Sequence, residues 1–231
     1  MDRRPWPAKS VIASLASHQR RALFALGTPT EFAAEEVLVH QGETTKHVYV
    51  LIDGITKVTH SSHNGRRVLL AIRSRGDLIG EFAGLDDRPR IATVTATGPV
   101  AALALGHRDF ASYMAQDPEA ARAVSASVVG KFRSTTERVV DYSAHDAPVR
   151  LARVLYRLYR DHGVHQEDHV ELGIPITQPE LASIIGASEA AVQKALAGLR
   201  RHGIVSTGYR TTAITSLAAL ADAADIPADA R

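Results

Sequence analysis

The stretch GDLIGEFAGLDDRPRIATV, Gly76 to Val94, gathers what a small-anion site uses: a turn glycine, the Gly80-Glu81 pair, a short apolar run, two acids, and Arg90 fenced by Pro89. A guanidinium fork takes phosphate or carboxylate oxygens two at a time. Against that reading, Arg90 is followed by Ile91, an apolar branched residue where an anion favours a hydroxyl. The competing expectation for Arg90 is a salt bridge to Asp86 or Asp87 in a loop that holds no ligand.

A second stretch, QPELASIIGASEAAVQKALAGLR from Gln178 to Arg200, carries different chemistry. Ala182, Gly186 and Val192 supply, in order, the small residue, turn glycine and buried aliphatic of a helix-turn-helix. In that geometry the start of the second helix enters the major groove of double-stranded DNA. Glu189, Gln193 and Lys194 then reach base edges, with Ala190 beside them. Thr177, Gln178, Ser188 and the Arg200-Arg201 pair lie nearer phosphates. From Asp146 to Arg210 there are 8 Lys/Arg against 7 Asp/Glu, so affinity must come from local placement and dimerisation rather than bulk charge.

Other chemistries find less support. There is no nucleophile elbow, no P-loop and no carboxylate pair with an obvious partner, so no catalytic residue is assigned and the chain reads as a non-enzyme. The absence of cysteine excludes thiolate zinc sites and cysteine-held iron–sulfur clusters within this chain. His162, His165 and His169, with Asp161, Glu167 and Asp168, make a patch of metal-ligand types. Read as a solvated turn, it assigns no metal ligand. His60 and His63 flank the Asn64-Gly65 turn and are expected at the surface.

The elements that must position these residues are legible from period and turn signals. Val11, Ile12, Leu15, Leu23 and Leu26 suit one face of a helix from Ser10 to Leu26. Between Val37 and Leu105 short apolar runs (VLVH, HVYVLI, ITKVTH, RVLLAI, ATVTA, VAALAL) alternate with glycines at 42, 54, 65 and 76, spaced 12, 11 and 11 residues apart. That pattern predicts an antiparallel roll or barrel. Asp117 and Pro118 open a helix whose Ala121, Ser125, Val128, Phe132, Thr135, Val139 and Tyr142 recur every three or four residues, a seam suited to pairing two subunits in a homodimer. His145 to Pro148 breaks that helix. Then come a helix to His162, two short strands (HVEL, IPIT), the helix pair, and a wing hairpin at Thr207-Gly208. The expected fold is α+β: a roll over residues 1–117, a dimerisation helix and hinge over 118–145, and a winged helix-turn-helix over 146–231. The 231 residues, 45% apolar and 23% charged, are ordinary for a folded domain pair. MDRRPWPAKS lacks the apolar run of a signal peptide, and no apolar stretch reaches the ~18 residues of a membrane helix, so a cytoplasmic location without membrane contact is expected.

The combination of G-D-x-I-G-E…P-R-x-A-T-V with I-T-x-x-E-L-A-x-I-x-G-x-S resembles the cyclic-AMP receptor protein and fumarate/nitrate regulator superfamily of bacterial transcription regulators. The resemblance covers nearly the whole chain. It implies a cyclic-nucleotide cassette in which Glu81 takes the ribose 2′-hydroxyl. Backbone amides of the following short helix, at Gly80, Phe82 and Ala83, cradle the phosphate, and Arg90 pairs with it. The position of Ile91 is usually serine or threonine. Thr135-Thr136, ahead of Glu137-Arg138, stand where a hydroxyl pair reads adenine. A DNA-binding homodimer that engages RNA polymerase is implied, with cyclic AMP or another cyclic nucleotide as effector and no other cofactor required. The alternative is a ligand-independent regulator with a degenerate nucleotide site. Glu189-Ala190 and Lys194 depart from the Arg-Glu and arginine of the cyclic-AMP receptor protein itself, which implies a different operator.

Overall fold

The computed structural model describes residues 5–166, 169–208 and 211–227, and divides into two compact units, residues 1–133 and 134–231. The division falls inside a long helix.

In the first unit, α1 (Val11–Ser14) and α2 (Ser17–Ala25) stand where one helix is expected. The break is built in: Ser10 caps α1, and Ala16 is extended, its N–H donating to Oε1 of Gln19 at 2.8 Å. Gln19 is held by Asp117 in turn. These polar anchors override the apolar period running through both helices. Strands β1 (Thr28–Phe32), β2 (Val37–Val39), β3 (Val48–Asp53), β4 (Thr56–Ser61), β5 (Arg67–Arg73) and β6 (Leu78–Ile79) follow. Then come α3 (Glu81–Asp86), β7 (Thr93–Ala96), β8 (Val100–Leu105) and α4 (His107–Gln116). They make two antiparallel four-stranded sheets, ordered β1-β8-β3-β6 and β2-β7-β4-β5. The six apolar runs are all strands, and all four spaced glycines sit at positive φ. Strand β1, with Pro29 inside it, occupies a sheet edge, where a missing N–H is tolerated.

Alternation along β3 shows how two cores share one sheet. Val48 and Val50 face a core with Ile12, Leu23, Leu105, Phe110 and Val124, while Tyr49 and Leu51 face the roll interior with Leu38, Ile79 and Val94. Trp6 caps the first core, its ring edge-on to Phe24 at 5.8 Å and under the Arg75 guanidinium at 3.9 Å.

Tyr113 of α4 is buried in that core, its hydroxyl donating to the Gln19 carbonyl at 3.3 Å. Burial first, then the nearby Asp117 charge, pushes its pKa up to about 12. Below pH ~10 neither the folded nor the unfolded phenol ionises. Above that the unfolded chain releases a proton that the fold retains, so stability falls as pH rises from ~10 through about 12. Tyr113→Phe is expected to remove this alkaline loss in melts run from pH ~9 upward. A variant that loses stability with pH as steeply as the wild type contradicts the assignment.

Helix α5 (Pro118–Ala144) opens as expected, with Asp117 accepting from the Ala120 N–H at 3.0 Å. It stops before His145, and α6 (Ala147–His162) begins under Asp146, which accepts from the Val149 N–H. The second unit continues with β9 (Gly163–His165), β10 (Val170–Leu172), α7 (Gln178–Ile185), α8 (Glu189–Arg201), β11 (Val205–Gly208), β12 (Thr211–Ile214) and α9 (Leu217–Ala223). One antiparallel sheet, β11-β12-β10-β9, includes the expected wing hairpin. IPIT is not a strand. Ile174 and Ile176 are buried as strand alternation demands, but Pro175 between them has no N–H to give a ladder. Of the histidine patch, Glu167 and Asp168 lie outside the described residues, and His169 is 3.6 Å from Glu171.

Within this unit the end of α5 is bolted down. Asp141 is 5% exposed and paired with Arg153, at 2.8 Å, and with Arg157. Tyr142 donates to the Ile184 carbonyl at 2.8 Å, and its ring lies over Gly186. Tyr142, expected in the dimer seam, makes these contacts within its own chain while staying 42% exposed.

Candidate functional site

Two regions carry candidate chemistry, one in each unit. In the first, α3 follows Gly80, whose left-handed backbone (φ 83°) turns the chain from β6 into the helix. A β-carbon there would overlap the Arg90 guanidinium, so glycine is required by space as well as by conformation.

Arg90 is 4% exposed. Its Nη1 and Nη2 each donate at 2.6 Å, to the carbonyls of Gly80 and His47, and Nε reaches Thr45 Oγ1 at 3.4 Å. The expected partners Asp86 and Asp87 are not used. Asp87 instead takes Lys46 at 2.5 Å, which with His107 holds its carboxyl below the usual range. Of the five N–H groups in the fork, three are assigned, leaving one on each terminal nitrogen. Desolvation lowers the Arg90 pKa, and the charges of Glu43, Tyr49 and Glu81 oppose that.

A cavity opens in front of these groups, holding about 500 Å³ of empty space including its open mouth. Gly80, Glu81, Phe82, Ala83, Arg90 and Ile91, all expected to line a site, do line it. Ile91 is 53% exposed at the mouth, so it narrows the entrance rather than filling the interior.

Two further cations line the cavity and escape the sequence reading. Lys131, from α5, places Nζ 2.7 Å from Glu81 Oε1 and 2.9 Å from the Leu78 carbonyl. Both side chains are nearly buried, at 13% and 6% exposed. Burial pushes the Lys131 pKa down, with Glu81 opposing. Arg73, the last residue of β5, is the second. Lys131 lies one helical turn before Thr135, a spacing that could have flagged it. The lining comes from the first unit alone. Thr135 and Thr136 belong to the second unit, where both are exposed.

In the second unit the helix-turn-helix forms as its sequence dictates. Thr177 and Glu180 form a reciprocal capping box at α7, and Ser188 caps α8 by accepting from the Ala191 N–H at 3.2 Å. Gly186 between them sits at φ 61°. Ala182, Val192, Leu196 and Leu199 are buried. Glu189, Ala190, Gln193 and Lys194 are exposed together on the first turns of α8, and Ser188 lies exposed at its start. Thr177 and Gln178 are half-buried. Arg200 is not an isolated cation, since its Nη1 donates to the wing's Thr207 at 2.8 Å; Arg201 is exposed beside it.

Comparison with known proteins matches each unit separately. The cyclic nucleotide-binding domain family matches residues 29–117, and the Crp-like helix-turn-helix domain family matches residues 149–223. The CRP-like cAMP-activated global transcriptional regulator of Mycobacterium tuberculosis is 27% identical over 193 residues, covering 84% of this chain and 86% of its own. The cAMP-activated global transcriptional regulator CRP of Escherichia coli is 24% identical over 187 residues, covering 80% and 88%. The crystal structure of a CRP-family transcriptional regulator from Thermus thermophilus aligns with TM-score 0.70 at 25% identity, covering 87% of this chain and all of that one.

Proposed function

Because this chain belongs to the Crp/Fnr family of transcription regulators, we infer that it works as a homodimer on double-stranded DNA and that its roll receives a nucleotide effector. It is a DNA-binding regulator and not an enzyme. No helix among the described residues is long and apolar enough to cross a membrane, and a cytoplasmic setting suits a protein that must reach DNA and RNA polymerase.

The observation that carries the effector reading is Arg90: a buried guanidinium at a cavity, held by two carbonyls, with two N–H groups still to assign. A cyclic phosphate is an acceptor of the right charge and geometry. Glu81 would accept a ribose hydroxyl through the oxygen that Lys131 leaves. For DNA, the face of Glu189, Ala190, Gln193 and Lys194 would enter the major groove, with Thr177, Gln178, Ser188 and Arg201 toward phosphates and Arg200 bracing the wing.

A second reading, a regulator that needs no ligand, is favoured by a specific observation as well. Glu81 is already neutralised by Lys131, and Ile91 offers no hydroxyl. Calorimetric titration with cyclic AMP and cyclic GMP, with Ile91→Ser alongside, separates the two. The effector reading expects saturable binding by the wild type, tightened about ten-fold in the serine variant by one added bond to a charged group. No binding by either protein, with DNA affinity unchanged by nucleotide, establishes the second reading in its place.

A further inference from the structure

The cavity holds one cation more than a cyclic monophosphate would use. Arg90 has Glu43 and Glu81 acting on it, and Lys131 has the Glu81 carboxylate at 2.7 Å. Arg73 lines the same cavity and has no carboxylate within ion-pair distance among the described residues. Its Nη1 reaches the carbonyl of its own neighbour Ile72 at 3.2 Å. It is half-buried, and its charge acts on Lys131, lowering that group's pKa further below the value set by burial. The cavity is therefore cationic at two places, Arg90 beside Gly80 and Arg73 beside Lys131, with one lining acid, Glu81, paired to Lys131. Asp77, whose charge also acts on Lys131, is not part of the lining, and its carboxylate accepts from the Ser74 N–H.

A ligand with a single anionic group answers Arg90 and leaves Arg73 to be desolvated beside another cation as the cavity fills. Stripping water from an uncompensated charge opposes binding. A second anionic group at Arg73 turns that penalty into a charge-assisted hydrogen bond.

We propose that the cavity takes a nucleotide carrying two separate anionic groups, one held by Arg90 and the other by Arg73 next to Lys131. This rests on the effector reading above. It makes Arg73 a specificity-determining residue for effector charge.

The test compares cyclic AMP with adenosine 3′,5′-bisphosphate, the same nucleoside with its one ring phosphate replaced by two open ones. Calorimetry on the full-length protein, its Arg73→Gln variant and its Arg73→Lys variant gives an affinity for each ligand. The wild type is expected to bind the bisphosphate at least about ten-fold tighter than cyclic AMP, the effect of one hydrogen bond between charged groups. Arg73→Gln erases that preference by weakening the bisphosphate, while cyclic AMP, freed of the uncompensated charge, binds at least as tightly as to the wild type, and Arg73→Lys retains part of the preference. Should Arg73→Gln fail to fold, the wild-type preference and the lysine variant decide. Cyclic AMP binding as tightly as the bisphosphate overturns the proposal and leaves the effector reading standing, as does an equal loss for both ligands in Arg73→Gln. No binding of either nucleotide by the wild type overturns both.

Discussion

Replacing Asp141 by alanine is expected to destabilise the second unit by about 3 kcal/mol, the low end for removing one partner of a buried ion pair. The carboxylate is 5% exposed and is shared by Arg153 and Arg157. Both arginines keep about a quarter of their side chains in water, which is why the low end applies. Alanine strands two guanidinium groups at the junction of α5 and α6. Arg153 would retain its bonds to the Ala224 and Asp225 carbonyls at the end of α9, whereas Arg157 would keep, among the described residues, the exposed Glu137 at 3.9 Å. Asp141→Asn preserves volume and an acceptor and should lose less than half as much. Urea melts of the full chain followed by helical ellipticity read both. An alanine variant within ~0.5 kcal/mol of wild type, the ordinary range for surface changes, would show that the clamp contributes nothing.

Phe132→Asp is expected to abolish the dimer and lower DNA affinity on the order of 10²-fold. Phe132 is 71% exposed on α5, with Val129 at 49%, Val139 at 57% and Val140 at 57%. Exposed apolar side chains along a long helix are costly in water, and the homodimer reading has a second copy cover them. A carboxylate among them puts two like charges in apolar surroundings across a two-fold interface. Losing the tether between two DNA-binding halves removes an effective concentration that multiplies affinity by ~10²–10⁴. Sedimentation equilibrium and gel shift on one preparation read mass and affinity together. A variant that still sediments as a dimer would mean that the seam lies elsewhere.

The fold is legible wherever a local signal acts alone. Glycines 42, 54, 65 and 76 mark real turns because each needs positive φ, and Thr177, Glu180, Gly186 and Ser188 frame the helix pair by caps that depend on neighbours three residues away. Where distant groups decide, the sequence is mute. The split between α1 and α2 depends on Gln19, and so on Asp117, 98 residues further on. Strand β1, with Pro29 inside it, shows no strand alternation, whereas α4 buries Phe110 and Tyr113 three residues apart, a helical period the sequence does carry. In the cavity, Glu81, Arg90 and Ile91 are visible as one segment. Lys131 arrives from a helix 50 residues away, hinted at by its place one turn before Thr135, and Arg73 comes from the end of β5, where no spacing marks it as a neighbour. Tyr142 keeps the seam's period but is fixed by a carbonyl 42 residues on.

The contact between Trp6 and Arg75 has an optical consequence. Trp6 is the chain's one tryptophan, and its ring is sandwiched between Phe24 and a guanidinium in the first unit. Indole emission excited at long wavelength therefore reports the roll and its N-terminal cap, and nothing of the helix-turn-helix. The protein comes with an unlabelled fluorophore at one end only, so melting of its two units can be timed against each other in the intact chain: emission for the first, helical ellipticity for both.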